Sequence, residues 1–174
     1  MEKPIIATTL AGLFIKREAW DKAHRIWYED AAQTLNDNSI LKWVGREDYF
    51  KGVEEVMQRL YPELNDEQRT IKARQMFFDS VIKYTRQNPD VRNNEIIEYF
   101  NSLKSEFRLA LITTNTKQAL EKIISATGLS NLFEVIEASE ESEKDDKKVV
   151  IDRFIKKYGK PLIYIGGSKK ETYD

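Results

Sequence analysis

Four short apolar runs, separated by stretches with a different pattern, constrain the fold of this chain most strongly. They cover residues 5–7, 109–112, 133–136 and 162–165, and the run at 133–136 is the weakest of the four. Strands that helices cover on both faces have this composition, because neither face can be left polar. The runs therefore predict a buried parallel β-sheet.

Helical patterns occupy the intervals between the last three runs and precede the second. Apolar residues recur at helical spacing over 96–103, 120–127 and 150–158. Asn93 is a candidate N-cap for the first of these helices, and Gly128 is a candidate C-cap for the second. Alternating strands and helices are typical of βαβ units, so we predict an α/β fold with a Rossmann-like parallel sheet core flanked by helices.

One long segment interrupts this alternation directly after the first strand. Residues 14–88 contain no strand-like run, and their patterns predict helices over 17–35, 47–60 and 65–84. Asn65 and Gln68 have the spacing of a capping box at the start of the third helix. We therefore expect an all-α insertion at 14–88 and a core domain formed by 1–13 and 89–174.

Composition excludes several classes of function. The 174 residues carry a net charge of −1 without a cluster of Lys and Arg, which argues against nucleic-acid binding. No apolar run approaches the ~20 residues that span a bilayer, and the N-terminus has no signal-peptide pattern. Cysteine is absent and His24 is the only histidine, so a thiolate zinc site and a multi-histidine metal site are excluded. We expect a cytoplasmic protein that does not bind membranes.

Three segments, in order, carry a resemblance to a known family. The strand at 108–112 ends in Thr113-Thr114, an acidic loop at 140–148 contains three lysines, and the last run leads into Gly166-Gly167. Together with the insertion, this order resembles the haloacid dehalogenase-like hydrolases with a helical cap, such as phosphoglycolate phosphatase and 2-haloacid dehalogenase. The resemblance covers nearly the whole chain, and it identifies 14–88 as the cap.

The resemblance also implies roles for individual residues. A Ser or Thr at the end of the second strand binds the transferring phosphoryl group; Thr113 matches best, and Thr114 is the alternate. A lysine in the later loop neutralises the nucleophile and the phosphate; Lys144 matches best, with Lys147 and Lys148 close behind. The expected ligand is therefore a small phosphorylated molecule.

The carboxylates that the family uses are mostly replaced in this chain. The resemblance implies a nucleophilic Asp after the first strand, an acid/base Asp two residues later, and acids after the fourth strand that help to hold Mg²⁺. Thr9 and Ala11 stand at the first two positions and Gly167 at the third, whereas Glu171 remains as an acid. Mg²⁺, expected for the family, would then be held poorly here.

These replacements favour a catalytically inactive relative that acts by binding or association, since loss of one nucleophile can cost roughly a million-fold in rate. The first alternative is an active phosphohydrolase with a non-standard site. The second is a structural or regulatory subunit. In the family a further strand follows the fourth one, so a chain that stops at Asp174 would expose a sheet edge to a protein partner or a second copy.

Each candidate residue also has a purely structural interpretation. Thr113 could cap the helix that follows it, and Lys144 and Glu171 could be solvated surface residues. Thr9 could be a strand residue with a buried hydroxyl. The aromatic residues around His24 on the first helix of the insertion are typical of a helical core.

Overall fold

The chain forms two compact units in a computed structural model that describes residues 2–46, 48–143 and 146–167. One unit comprises 1–17 and 88–174, and the other comprises 18–87. The second unit thus begins at residue 18, four residues after the start that we predicted for the insertion. Residues 14–17 belong with the first unit because the backbone N–H of Lys16 donates to Val91 O and the Phe14 ring packs edge-on against Phe100.

The first unit alternates strands with helices. Its elements are β1 (Ile5–Thr8), α4 (Asn94–Leu103), β2 (Arg108–Thr116), α5 (Lys117–Thr127), β3 (Val135–Ser139), α6 (Lys147–Tyr158) and β4 (Ile163–Ile165), with a short 3-10 turn at Pro89–Val91. The strands form one parallel sheet in the order β3-β2-β1-β4. This arrangement confirms the predicted α/β fold with a helix-flanked parallel sheet.

Apolar side chains on both faces of the sheet hold this unit together. Ala7, Ala110 and Ile112 pack beneath Val150 and Phe154 of α6. A second group of apolar contacts surrounds Phe14, whose ring packs edge-on against Phe133 at 5.2 Å and against Phe100 at 5.0 Å between ring centroids. Burying each large side chain stabilises the fold by about 1.5–3 kcal/mol.

Two local predictions differ from the structure. The third strand occupies Val135–Ser139 rather than 133–136, because Phe133 turns into the core against Phe14 before the strand begins. Asn93 stands at the N-cap position of α4, but its side chain makes no capping hydrogen bond. Gly128, by contrast, ends α5 in the predicted left-handed conformation, with φ 69°.

The second unit is helical throughout the part that the structure describes. It consists of α1 (Glu18–Leu35), a 3-10 helix (Asn38–Trp43), α2 (Tyr49–Leu60) and α3 (Asp66–Gln87). The predicted capping box is present, with Asn65 and Gln68 exchanging bonds of 3.0 Å and 2.9 Å between backbone N–H and side-chain oxygen. Trp27, Tyr28 and Met57 lie in its core. No helix among the described residues is long and apolar enough to cross a membrane.

Gly52 tests how closely this helical core is packed. A methyl group there would lie 2.3 Å from Trp43 Cγ and 2.6 Å from the Tyr28 hydroxyl oxygen. Alanine favours a helix over glycine by about 1 kcal/mol, whereas overpacking costs about 1–3 kcal/mol. We therefore expect Gly52→Ala to lower the free energy of unfolding by about 1 kcal/mol in urea titrations. Glu54→Ala, at an exposed position of the same helix, should change it by less than about 0.5 kcal/mol. A more stable Gly52→Ala protein would contradict the close contact.

Candidate functional site

Short polar segments follow the strands at one edge of the sheet. Thr9 follows β1 and its backbone N–H donates to Ile165 O of β4 at 3.1 Å. The Thr-rich end of β2 lies beside the end of β3, where Thr116 is the register partner of Ser139. The carboxyl ends of parallel strands form the crevice where such sheets bind ligands. The structure therefore gathers Thr9 and the Thr113–Thr116 segment at the expected edge.

Lys147, the first residue of α6, reaches this edge. Its Nζ donates to Ile112 O at 2.5 Å and lies 3.4 Å from Thr9 Oγ1, a long hydrogen bond. The ammonium also lies 5.7 Å from the centre of the Tyr164 ring, within range of a cation–π interaction. One cation thus contacts residues from three neighbouring strands.

Lys147 is the lysine of the acidic loop that the structure places at the predicted site. Lys144, the first choice from sequence, lies outside the described residues, and Lys147 was only an alternate. The helix start explains why Lys147 points to the strands: the Asp146 carboxylate accepts a hydrogen bond from Lys148 N and thereby caps α6. Asp146, four residues before the apolar pattern at 150–158, is a preferred N-cap residue type and was the sequence signal that could have marked the helix start at Lys147.

The position expected for the nucleophile is occupied by a buried hydroxyl. Thr9 is 5% exposed, and the neighbouring Thr8 is fully buried with its hydroxyl donating to Ala110 O at 3.2 Å. Ala11, two residues on, carries no functional group. Neither position supplies a carboxylate, so the Lys147 ammonium meets a neutral group at Thr9.

Thr113 and Thr114 lie just ahead of α5. Thr113 is 4% exposed, and its Oγ1 accepts a 3.1 Å hydrogen bond from the N–H of Asn115. This bond lies within the last residues of β2 and does not cap α5, and it leaves the Thr113 hydroxyl proton to donate to a ligand. Thr116, the N-cap residue of α5, makes no side-chain capping bond. Backbone N–H groups at a helix N-terminus that lack such a cap favour anions.

The loops after β1 and β4 meet backbone to backbone. A Cβ built on Gly167 would lie 1.9 Å from Ala11 O and 3.1 Å from Thr9 Cγ2. On the opposite side, Gly12 has φ 81°, and a Cβ there would lie 2.7 Å from Gly167 O. Real Cβ atoms do not approach backbone atoms this closely. The position expected to carry a metal-binding acid therefore has no room for any side chain.

The donor set at this edge does not fit Mg²⁺. Such an ion is usually held by one or two carboxylates together with the substrate phosphate. Thr9, Ala11 and Gly167 supply no carboxylate, and Glu171 lies outside the described residues. Within 2–46, 48–143 and 146–167, no three Asp, Glu or His side chains group as metal ligands would.

His24, in the other unit, has a structural environment. It lies on α1 with its ring 5.0 Å from that of Tyr28 in an edge-to-face arrangement. Burial lowers its pKa below the usual value, with Asp21 opposing the shift. A neutral histidine among aromatic rings agrees with the predicted helical core.

Comparison with known proteins points to the same family as the sequence resemblance. The family model described as haloacid dehalogenase-like hydrolase matches residues 22–171. No curated protein matches the chain. The match covers the insertion from residue 22 onward and strands β2 to β4, and it begins after β1 and Thr9.

Solved structures resemble the fold at low identity. A haloacid dehalogenase-like hydrolase from Streptococcus pneumoniae aligns with a TM-score of 0.56 and 16% identity, over 94% of this chain and 74% of that one. A predicted phosphoglycolate phosphatase from Haemophilus somnus gives 0.57 and 16%, over 95% and 77%. A Bacillus subtilis protein described as a HAD-hydrolase bound to magnesium gives 0.56 and 13%, over 95% and 80%. These likenesses concern the fold.

The backbone contact at Gly167 leads to a stability prediction. Because a Cβ meets the Ala11 carbonyl, we expect Gly167→Ala and Gly167→Asp each to lower the free energy of unfolding by about 1–3 kcal/mol. Most of the loss should already be present in the alanine variant, since the collision involves Cβ rather than the charge. Lys160→Ala, at an exposed position before β4, is the control and should change stability by less than about 0.5 kcal/mol in the same urea titration. An unchanged Gly167→Ala protein would refute the contact.

Proposed function

The chain belongs to the haloacid dehalogenase-like hydrolase family, and from this premise we propose that it is an inactive member that binds a phosphorylated ligand without hydrolysing it. The observation that carries the proposal is the contact between Lys147 and Thr9. At the position where the family's nucleophile is expected, the cation faces a hydroxyl instead of a carboxylate.

Loss of the nucleophile argues against phosphatase turnover. Removing a catalytic nucleophile can reduce turnover by roughly a million-fold. Thr9 cannot replace a carboxylate directly, because a hydroxyl at neutral pH is a weak nucleophile until a base accepts its proton. Ala11 provides no acid or base for the leaving group. The reaction therefore lacks both groups that the family resemblance assigns to bond breaking.

The same replacements favour anion binding. A carboxylate at Thr9 would repel a phosphate and would compete for the Lys147 ammonium. With threonine there, a phosphate can accept a charge-assisted hydrogen bond from Lys147 without that repulsion. The Thr113 hydroxyl and the N–H groups at the start of α5 supply further donors at the same edge. The ligand we propose is a small molecule with a phosphate monoester.

Magnesium is not part of this proposal. In family members it offsets repulsion between a carboxylate nucleophile and a phosphate. Here Thr9 removes the repulsion, and Gly167 has no room for an acid. We therefore propose that phosphate binding is independent of Mg²⁺, with Lys147 supplying the positive charge.

A second candidate function uses the same contact in another way. If Lys147 were neutral, its amine could accept the Thr9 proton while Thr9 Oγ1 attacks phosphorus, and it could pass that proton to the alkoxide whose bond to phosphorus breaks. Water would then cleave the phosphothreonine ester, which releases inorganic phosphate and restores the Thr9 hydroxyl. The 3.4 Å separation of Nζ from Oγ1 favours this hypothesis enough to test it. It corresponds to an active hydrolase with a non-standard site.

Binding of inorganic phosphate tests the main proposal. We expect isothermal titration calorimetry to detect phosphate binding with EDTA present, because Lys147 and not a metal supplies the charge. Lys147→Gln should weaken it by about tenfold or more, since one charge-assisted hydrogen bond is worth about 1.5–3 kcal/mol. Lys148→Gln is the matched control, because the adjacent lysine is exposed. Equal loss in both variants, or no binding by the parent protein, would count against the site.

Turnover of 4-nitrophenyl phosphate with Mg²⁺ separates the two candidates. We expect no hydrolysis above the blank by the parent protein. Turnover that disappears in both Thr9→Ala and Lys147→Gln would instead establish the threonine–lysine reaction. A Thr9→Asp/Ala11→Asp variant tests whether acids at these two positions suffice for turnover. We expect little gain, because the backbone contact at Gly167 leaves no room for a third acid at that position.

A further inference from the structure

Arg153, in the middle of α6, binds three groups at the end of β3 and in the turn after it. Its Nε donates to Glu137 Oε1 at 2.5 Å and its Nη2 donates to Ala138 O at 2.5 Å. Its Nη1 donates to Glu143 Oε1. One side chain therefore links α6, β3 and the acidic turn 140–143, a contact that no sequence pattern predicted.

Glu143 in turn fixes the geometry of the acidic turn. Its second oxygen, Oε2, accepts a 2.8 Å hydrogen bond from the N–H of Glu140. Burial alone would raise the pKa of the Glu143 carboxyl, but the hydrogen bonds from Arg153 and from the Glu140 N–H outweigh burial and hold that pKa below its usual value. Glu143 is therefore ionised at neutral pH, with its charge directed at Arg153.

The acidic turn lies next to the proposed phosphate site. It begins after Ser139, which pairs with Thr116 at the end of β2, and it leads to Lys147 at the start of α6. Lys117, the first residue of α5, forms a 2.7 Å ion pair with Glu140. Three glutamates in such a turn would repel an anion bound at Lys147 unless nearby cations offset their charges.

We propose that Arg153 is a positioning residue for anion binding: it holds the Glu143 carboxylate away from Lys147 and offsets its charge. The inference rests on the proposed function, because it concerns the anion that Lys147 would bind. When Arg153 is absent, the Glu143 carboxylate is free to turn toward Lys147 and to compete with the ligand. Glu137 would still keep a cation, since Lys157 Nζ lies 2.9 Å from its Oε2.

Sulfate titrations of the full chain test this role, because sulfate does not titrate between pH 4.5 and 7.5 as phosphate does. We expect Arg153→Gln to weaken sulfate binding by about tenfold at pH 7.5. Neutralising the competing acid as well, in Arg153→Gln/Glu143→Gln, should restore most of the affinity. The amide at position 143 can still accept the hydrogen bond from Glu140 N, so the turn keeps that support.

Lys157→Gln is the matched control. Like Arg153, Lys157 lies on α6 and places a positive charge beside Glu137, and the substitution removes that charge. Lys157 has no described hydrogen bond to the acidic turn. We expect its sulfate affinity to stay within about twofold of the parent. Equal losses in Arg153→Gln and Lys157→Gln, or no recovery in the double variant, would overturn the proposal in favour of a purely structural role.

The pH dependence provides a readout that folding alone does not move. In Arg153→Gln, Glu143 loses a hydrogen bond that lowers its pKa, so that pKa should rise toward the ordinary glutamate value. The tenfold difference in sulfate affinity between Arg153→Gln and the parent protein should therefore become smaller as the pH falls from 7.5 to about 4.5. Glu137 faces both Arg153 and Lys157, and Glu140 faces Lys117. The double variant Arg153→Gln/Glu143→Gln carries the same change around Glu137, so it isolates the part of the difference that comes from Glu143. A constant gap would contradict the proposal.

Two measurements without ligand keep the positioning role separate from the proposed function. Hydrogen exchange at the Glu140 amide should be faster in Arg153→Gln than in Lys157→Gln, and the ¹³Cε resonance of Lys147 should shift only in the former. If the parent protein binds no sulfate but both changes occur, the proposed function fails and Arg153 still positions the turn. If sulfate binds and neither change occurs, the proposed function stands and the positioning inference fails.

Discussion

The ammonium group of Lys147 is the interaction on which the candidate site depends. It contacts a carbonyl of β2, a hydroxyl after β1 and an aromatic ring in β4, so it lies where the carboxyl ends of three parallel strands converge. Its position follows from the start of α6 at an Asp cap and from the burial of Val150 and Phe154 below it. Packing of the apolar face of α6 against the sheet thus places the Lys147 ammonium at the polar edge of the sheet.

Hydrophobic patterning predicted most of the fold because burial on two faces leaves little choice of residue. The runs at 5–7, 109–112 and 162–165 each lie in or beside an observed strand. The pattern was less informative where polar residues remain in a strand: β2 continues to Thr116, beyond the apolar run that ends at residue 112. The second unit begins four residues after the predicted start of the insertion, and residues 14–17 are joined to the first unit by a backbone bond to Val91, which is remote in sequence.

Residues of the candidate site were predictable only where their position on a strand fixes their role. Thr9 and Ala11 could be predicted because they come directly after β1 in the chain. Choosing between Lys144 and Lys147 required the exact start of α6, which sequence patterns give only to within a few residues. Arg153 carried no signal at all, since its partners Glu137 and Glu143 are 16 and 10 residues away and lie on other elements.

The contact between the β1 and β4 loops also limits the order in which this site could change. An acid at Gly167 collides with the Ala11 carbonyl whatever stands at position 9 or 11, so the backbone must move before that acid can be accommodated. The substitution Gly167→Asp therefore meets a steric barrier before it brings any catalytic gain. Introducing acids at positions 9, 11 and 167 would therefore not be enough to obtain hydrolase activity. A laboratory search for such activity would have to begin with the backbone of the loops after β1 and β4.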